Sequence, residues 1–456
     1  MIPSASVDAA QLISRMESVP FSRWHTKCRI VMGSATFFDA FNALSLAFAL
    51  PVLIRLWNIS SAEIGLLISV SYVGQLAGAL LFSWMAEKLG RVRSATAAVA
   101  LMSVMNVGCA LAGNFPALFV CRLIQGVGVG GEMPVAATYI SELSKAHGRG
   151  RFFLLYELIF PLGLMATGQL GALLVPLLGW QAIFWIGAVP GLVITLLVAR
   201  LPESPRWLIS KGRLAEADTI VKQIEASASY RVEPQADTVL TAPPSPAISI
   251  SARPRWSEVL SPAYRGRTLI VWTLWAAAYF VTNSLNNWMP SLYATVYHLG
   301  LRESLRAASM LNVAQVAVLL VCAFCIDRIG RRNWTAASFI AGGALLAILG
   351  FVRAYSAFSV MLLATLSYGI IGSANAVIYL YTPEIYPTRM RAIGTGLGTS
   401  WLRIASALGP AAVGVMVGAT GIGSVFWMFA GVSVIGALVA TRMIETRDRR
   451  LEDIAP

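Results

Sequence analysis

The chain has 456 residues, 57% of them hydrophobic and 12% charged, with a mean hydropathy of +0.69 and a formal net charge of +13. Soluble domains carry about 25% charged residues, so this composition excludes a water-soluble enzyme of such length, and the excess apolar surface must face lipid. The positive balance reads as topogenic Lys and Arg gathered on one side of a membrane, not as a nucleic-acid surface.

Residues 1–29 are polar and basic, without the short apolar core of a cleavable signal, and read as a cytoplasmic tail. About 20 apolar residues cross a bilayer as a helix. Six such segments fall at 30–54, 64–84, 93–113, 116–140, 152–177 and 181–201, and six more at 268–296, 307–327, 334–353, 356–382, 392–418 and 422–443. This predicts an all-α membrane protein with N-terminal half 30–201, C-terminal half 268–443 and a second tail at 444–456. Between the halves, 202–267 is polar; 213–224 has helical spacing and predicts an amphipathic cytoplasmic helix, and 231–255, rich in Pro, Ser and Ala, a flexible linker. An even count puts both termini on one side. Basic clusters before the first segment and after the second, fourth, eighth, tenth and twelfth make that side cytoplasmic, in a bacterial-type inner membrane.

No catalytic constellation emerges. His25, His147 and His298 lie in tails or loops without paired nucleophiles. The five cysteines lie in or beside apolar segments and predict no disulfide framework, and Cys322 and Cys325, though spaced as CxxC, have no second pair for a metal. No cofactor is expected. The glycines of GVGVGG (126–131) lie on an apolar segment, where close helix packing explains them better than a phosphate loop.

A repeated signature joins the halves. Glu87-Lys-Leu-Gly-Arg-Val-Arg93 follows the second segment and Asp327-Arg-Ile-Gly-Arg-Arg332 the eighth, the mark of a transporter built from internal repeats. Glu87, Arg91, Asp327 and Arg331 are therefore candidate gating residues, with Gly permitting the tight turn.

These loops resemble the signature of the major facilitator superfamily. RLIQGVGVGGE (122–132), PESPRWL (202–208) and TPEIYPTRMRAIG (382–394) are similar to the branch holding sugar porters, organic-ion transporters and synaptic vesicle glycoproteins. FFDAFN (37–42), GGEMPVAATYISE (130–142) and YTPEIYPT (381–388) resemble bacterial niacin porters. The resemblance implies a twelve-helix major facilitator fold that binds its substrate between the halves.

Ionisable residues within membrane helices are functional candidates by default: Asp39, Arg122, Glu132, Glu157 and Arg403. Arg403 lies roughly 15 Å into the eleventh segment and needs an anion. A substrate carboxylate can supply it; so can Asp39 or Glu157 across the bundle. The resemblance favours the substrate, since organic-anion members carry Arg at this position. It also implies that an acid usually stands at position 42 and pairs with the equivalent of Arg122. Here Asn42 stands there and cannot titrate, so proton coupling must use Asp39 or a glutamate, or be absent. Glu132 and Glu157 match acids of the niacin porters and either couple protons or anchor the inner gate to Arg149 or Arg151. Tyr279, Asn283, Asn286, Asn287 and Trp288 on the seventh segment, with Tyr368, Asn375 and Tyr379 on the tenth, offer rings and amides for a small aromatic ligand. Niacin porters tend to place aromatics where this chain has Asn283 and Asn375. The expected function is alternating-access uptake of a small organic monocarboxylate, nicotinate by preference, possibly with protons, by a monomer with no nucleic-acid partner. A sugar or polyol porter and a non-transporting sensor are the alternatives.

Overall fold

The computed structural model describes residues 9–20, 22–143, 158–228, 256–351, 356–387 and 390–447. Its elements follow in chain order as α1 Ala9–Ser18, α2 Arg23–Trp57, α3 Ser61–Leu89, α4 Arg91–Leu111, α5 Phe115–Leu143, α6 Ile159–Leu178, α7 Gln181–Ala199, α8 Pro205–Ser210 and α9 Leu214–Ser227. After a 3-10 turn at Trp256–Leu260 come α10 Arg265–Thr295, α11 Leu301–Ile329, α12 Arg331–Phe351, α13 Ala357–Glu384, α14 Arg391–Ala419 and α15 Ile422–Ala440. Eleven of the described helices are long and apolar enough to cross a membrane. The 29-residue α5 packs among them against α3 and α4 and fills the remaining place in a bundle of twelve. Each expected segment overlaps one of these helices, several of which extend past the apolar stretch; residues 152–157 and 352–353 of the expected segments lie outside the described residues. The linker at 231–255 lies outside the described residues.

Large apolar side chains stand exposed around the bundle, among them Leu111, Leu178 and Phe351, each at 69–73% of full exposure. Water would penalise such a belt, whereas a bilayer supplies its natural surroundings.

The halves are copies. A shift of 240 positions carries Ser61–Leu89 onto Leu301–Ile329 and Arg91–Leu111 onto Arg331–Phe351. They meet away from the face that bears the termini. There Ser69 donates to the Ala407 carbonyl at 2.5 Å, and a Cβ on Gly65 would press on Pro410 and Ala411. Ser309, the counterpart of Ser69 in the other half, accepts from Gln169 Nε2 at 3.2 Å.

On the terminal face, the expected tail contains a helix. Leu12 and Met16 of α1 bury against Trp207 and Leu208 of α8 and Ala217 and Val221 of α9. Arg15 forks onto Glu225 and bonds Asp218, both at 2.7 Å. Arg15 and Lys222 together hold the Asp218 carboxyl below its ordinary range.

The glycine run of α5 works as close packing. A methyl group on Gly78 would overlap the Val127 carbonyl, and one on Gly130 the Gln75 carbonyl, so α3 and α5 touch backbone to backbone. Such contact needs glycine on both sides. Gly78→Ala and Gly130→Ala are therefore expected to lower the unfolding temperature in detergent, since overpacking costs about 1–3 kcal/mol. Gly418→Ala, with nothing within 4 Å of the new methyl, should not.

Candidate functional site

Two clasps stand on the terminal face, one within each half. In the first, Arg91 pairs with Glu87 at 2.9 Å and with Glu142, at the end of α5, at 2.9 Å. Glu203, beyond α7, accepts the backbone N–H of Arg91 at 3.0 Å and of Val92 at 3.2 Å, capping the start of α4. In the second, Arg331 pairs with Asp327 at 3.2 Å and with Glu384, at the end of α13, at 3.5 Å. Glu445, beyond α15, accepts the N–H of Arg331 at 2.9 Å and of Arg332 at 3.1 Å. A carboxylate on a helix N-terminus satisfies orphan donors and meets the positive end of the dipole. The turn between the helices needs glycine: Gly90 and Gly330 have φ of 112° and 90°, and a Cβ on either would strike the capping glutamate. The sequence motif thus displays half of each clasp; Glu142, Glu203, Glu384 and Glu445 arrive from elsewhere in the chain.

Between the halves lies a cavity with about 90 Å³ open to the centre of a water molecule, room for several waters or a small ring. Of the residues expected at the substrate, Arg403, Tyr279, Asn283, Asn286, Asn375 and Tyr379 line it. Asp39 lines it too. Asn42 does not: it is fully buried within the N-terminal half, where Asn106 Nδ2 donates to its side-chain oxygen at 2.7 Å and Arg122 donates to its backbone oxygen at 3.2 Å. Gln125 extends this network, accepting from Arg122 at 2.6 Å and donating to Asn106 at 2.7 Å. Asn42 and Arg122 thus share a level as expected. A backbone carbonyl and a neutral amide take the place of an acid.

Arg403, 7% exposed, donates to the carbonyls of Thr399 at 3.1 Å and, across the halves, of Gly130 at 3.3 Å. Its Nε has no partner, and no described carboxylate lies within ion-pair distance. The expected alternative pairing with Asp39 is therefore not made, and Glu157 lies outside the described residues. Asp39 is itself without an ion pair, and its Oδ1 has no hydrogen-bond partner among the described residues. Glu132 is fully buried and accepts from Thr36 at 3.0 Å, with its second oxygen unpaired. Its expected gate partners Arg149 and Arg151 also lie outside the described residues.

Beside Arg403 the wall is aromatic. The Trp275 ring stacks on Tyr279 at 5.6 Å and meets Tyr379 edge-on at 4.4 Å, and its Nε1 donates to Thr382 at 3.0 Å. The opposite wall is amide-rich: Asn286 and Asn312 bond reciprocally at 3.2 and 3.1 Å, and Tyr368 donates to Gln315 at 2.9 Å. Sequence reasoning missed Tyr72, Gln75, Thr282 and Gln315 on this wall, and Trp275 behind it. The repeat could have found several. The 240-position shift carries Gln75 onto Gln315 and Asp39 onto Tyr279, and all four line the cavity.

Residues 19–456 match the family model described as sugar (and other) transporter. The chain is 31% identical to the niacin transporter NiaP of Acinetobacter baylyi over 445 residues, 97% of this chain and 99% of that protein. It is 28% identical to organic cation/carnitine transporter 7 of Arabidopsis thaliana, over 91% of this chain and 90% of that one. Its fold superposes on XylE, a major facilitator superfamily proton:xylose symporter, with a TM-score of 0.70 at 18% identity, over 95% and 98% of the two chains. With twelve helices in two repeated halves around a polar cavity, and a family match running nearly end to end, the chain belongs to the sugar (and other) transporter family of the major facilitator superfamily, as a multi-pass membrane transporter of small molecules.

Proposed function

We propose that this protein takes up a small organic monocarboxylate, nicotinate by preference, by alternating access, with both termini in the cytoplasm. One observation carries the reading. Arg403 lines the central cavity with no carboxylate to pair with among the described residues. A cation at such depth is costly alone, and a planar guanidinium with a free N–H suits a carboxylate. The Tyr279 and Tyr379 rings beside it suit a flat ligand, and the niacin transporter among the relatives agrees with both.

Asp39 is the carboxylic acid among the described residues on the cavity wall, so it is the proposed proton carrier, Asn42 being unable to serve. The clasps have a role that a mere sensor would not need: each lies within one half and keeps its terminal face together while the halves rock. A sugar or polyol is the second reading, favoured by the amide-rich wall, since amides suit hydroxyl groups.

Arg403→Ala should weaken nicotinate binding at least tenfold, because a hydrogen bond to a charged group is worth about 1.5–3 kcal/mol. Arg403→Lys should restore it only in part. Wild type should prefer nicotinate to nicotinamide, and the Ala variant should lose the preference; a calorimetric titration of both compounds decides. A sugar that binds while nicotinate does not reverses the reading.

Asp39→Asn should flatten the pH dependence of uptake into proteoliposomes. A steep dependence that survives the change moves the proton site to Glu132 or Glu157.

Asp327→Ala should slow uptake far more than it weakens equilibrium binding, since the clasp biases conformations without touching ligand. Equal loss of both places Asp327 at the ligand instead.

A further inference from the structure

Two amides of the cavity wall are held in one orientation by their neighbours. The Thr282 hydroxyl donates its single hydrogen to the Ala278 carbonyl at 2.8 Å, so toward Asn375 its oxygen only accepts. The group that meets it, at 3.2 Å, is therefore Nδ2 of Asn375. The Asn375 carbonyl oxygen is left buried without a partner, on a residue 7% exposed that lines the cavity. Asn287, 3% exposed, is set the same way. Its Nδ2 meets the Asn283 backbone carbonyl at 2.9 Å and the Tyr72 hydroxyl at 3.1 Å. A carbonyl cannot donate, so Nδ2 must stay there, and nothing among the described residues donates to Asn287 Oδ1. The side chain of Gln75, which also lines the cavity, makes no hydrogen bond among the described residues and can turn either end to a ligand, so it selects nothing.

A buried acceptor with no donor is a standing cost that a ligand can relieve. Arg403 supplies donors and Asn375 and Asn287 supply acceptors, so the cavity is polarised. We propose that Asn375 and Asn287 form an accepting subsite that selects, among ring carboxylates, those with a hydrogen-bond donor on the ring, a hydroxyl or an N–H. The proposal rests on the monocarboxylate reading above and, within it, ranks a donor-bearing ring ahead of nicotinate. Nicotinate satisfies Arg403, but its ring nitrogen is an acceptor and leaves Asn375 unpaired. A hydroxylated ring satisfies both ends. Sites built to hydrogen-bond a substrate hydroxyl reject analogues that lack it much more strongly than apolar pockets reject a missing methylene.

The test is calorimetry on the full-length protein in detergent with benzoate, nicotinate, 3-hydroxybenzoate and 4-hydroxybenzoate. At least one hydroxybenzoate should bind about tenfold or more tightly than benzoate. Asn375→Leu, close in size but without an acceptor, should shrink the preference for that compound over benzoate to less than about twofold. Asn287→Leu is the second variant, should the first fail to fold. Arg403→Ala should weaken all four carboxylates yet keep the hydroxyl preference. The subsite is refuted if benzoate and both hydroxybenzoates bind the wild type alike, or if the preference survives in both Leu variants. If carboxylates bind without regard to the hydroxyl, the accepting subsite alone falls. If none of the four binds, the anion reading falls and takes the subsite with it.

Discussion

A guanidinium buried midway along a membrane helix, with no carboxylate paired to it among the described residues, sets the terms for the rest of this cavity. Insertion scales put a charge at that depth at about 3 kcal/mol even when it can snorkel, and Arg403 is 7% exposed. What it has are two backbone carbonyls, one from its own helix and one, Gly130, from the other half. Gly130 lies where α5 touches α3 backbone to backbone. The glycine packing and the charge are thus connected, because the close approach of α3 and α5 places the carbonyl that Arg403 reaches. One of its two hydrogen bonds among the described residues crosses the domain boundary, which ties the charge to the relative position of the halves.

The framework is symmetric and the chemistry is not. Both halves carry the same clasp, with an acid four residues before an arginine, a glycine turn, a glutamate at the end of another helix and a second glutamate just beyond a further one. Both present a glutamine at the same level of the cavity, Gln75 and Gln315. The repeat then breaks where ligand chemistry is needed. Asp39 has Tyr279 as its counterpart, and Asn42 has Thr282. Asn42 is drawn into the Arg122, Gln125 and Asn106 network, while Thr282 orients Asn375 at the cavity. A duplicated scaffold provides the moving parts, and divergence between the copies polarises the cavity into an anionic, a cationic and an amide wall.

The twelve segments, the two halves and the paired motif loops follow from the sequence alone, because each is a local property: a run of apolar residues long enough for a bilayer, or a short motif present twice. Arg403 stands out on the same footing, since one charge in a long apolar run needs no partner to be noticed. Tertiary structure decided which of the polar residues share a cavity. Asn42 and Asp39 are three residues apart on one helix, yet one serves the interior of a half and the other faces the cavity. Their periodicity is compatible with either, and the neighbour across the helix, Asn106 against Arg403, makes the difference. The clasp glutamates, the Trp275 support and the orientation of Asn375 all depend on contacts between residues far apart in the chain, such as the 93 positions that separate Asn375 from Thr282. No local pattern encodes those. Hydropathy determines that a helix lies in the membrane, but hydrogen-bond direction is settled only when the helices pack.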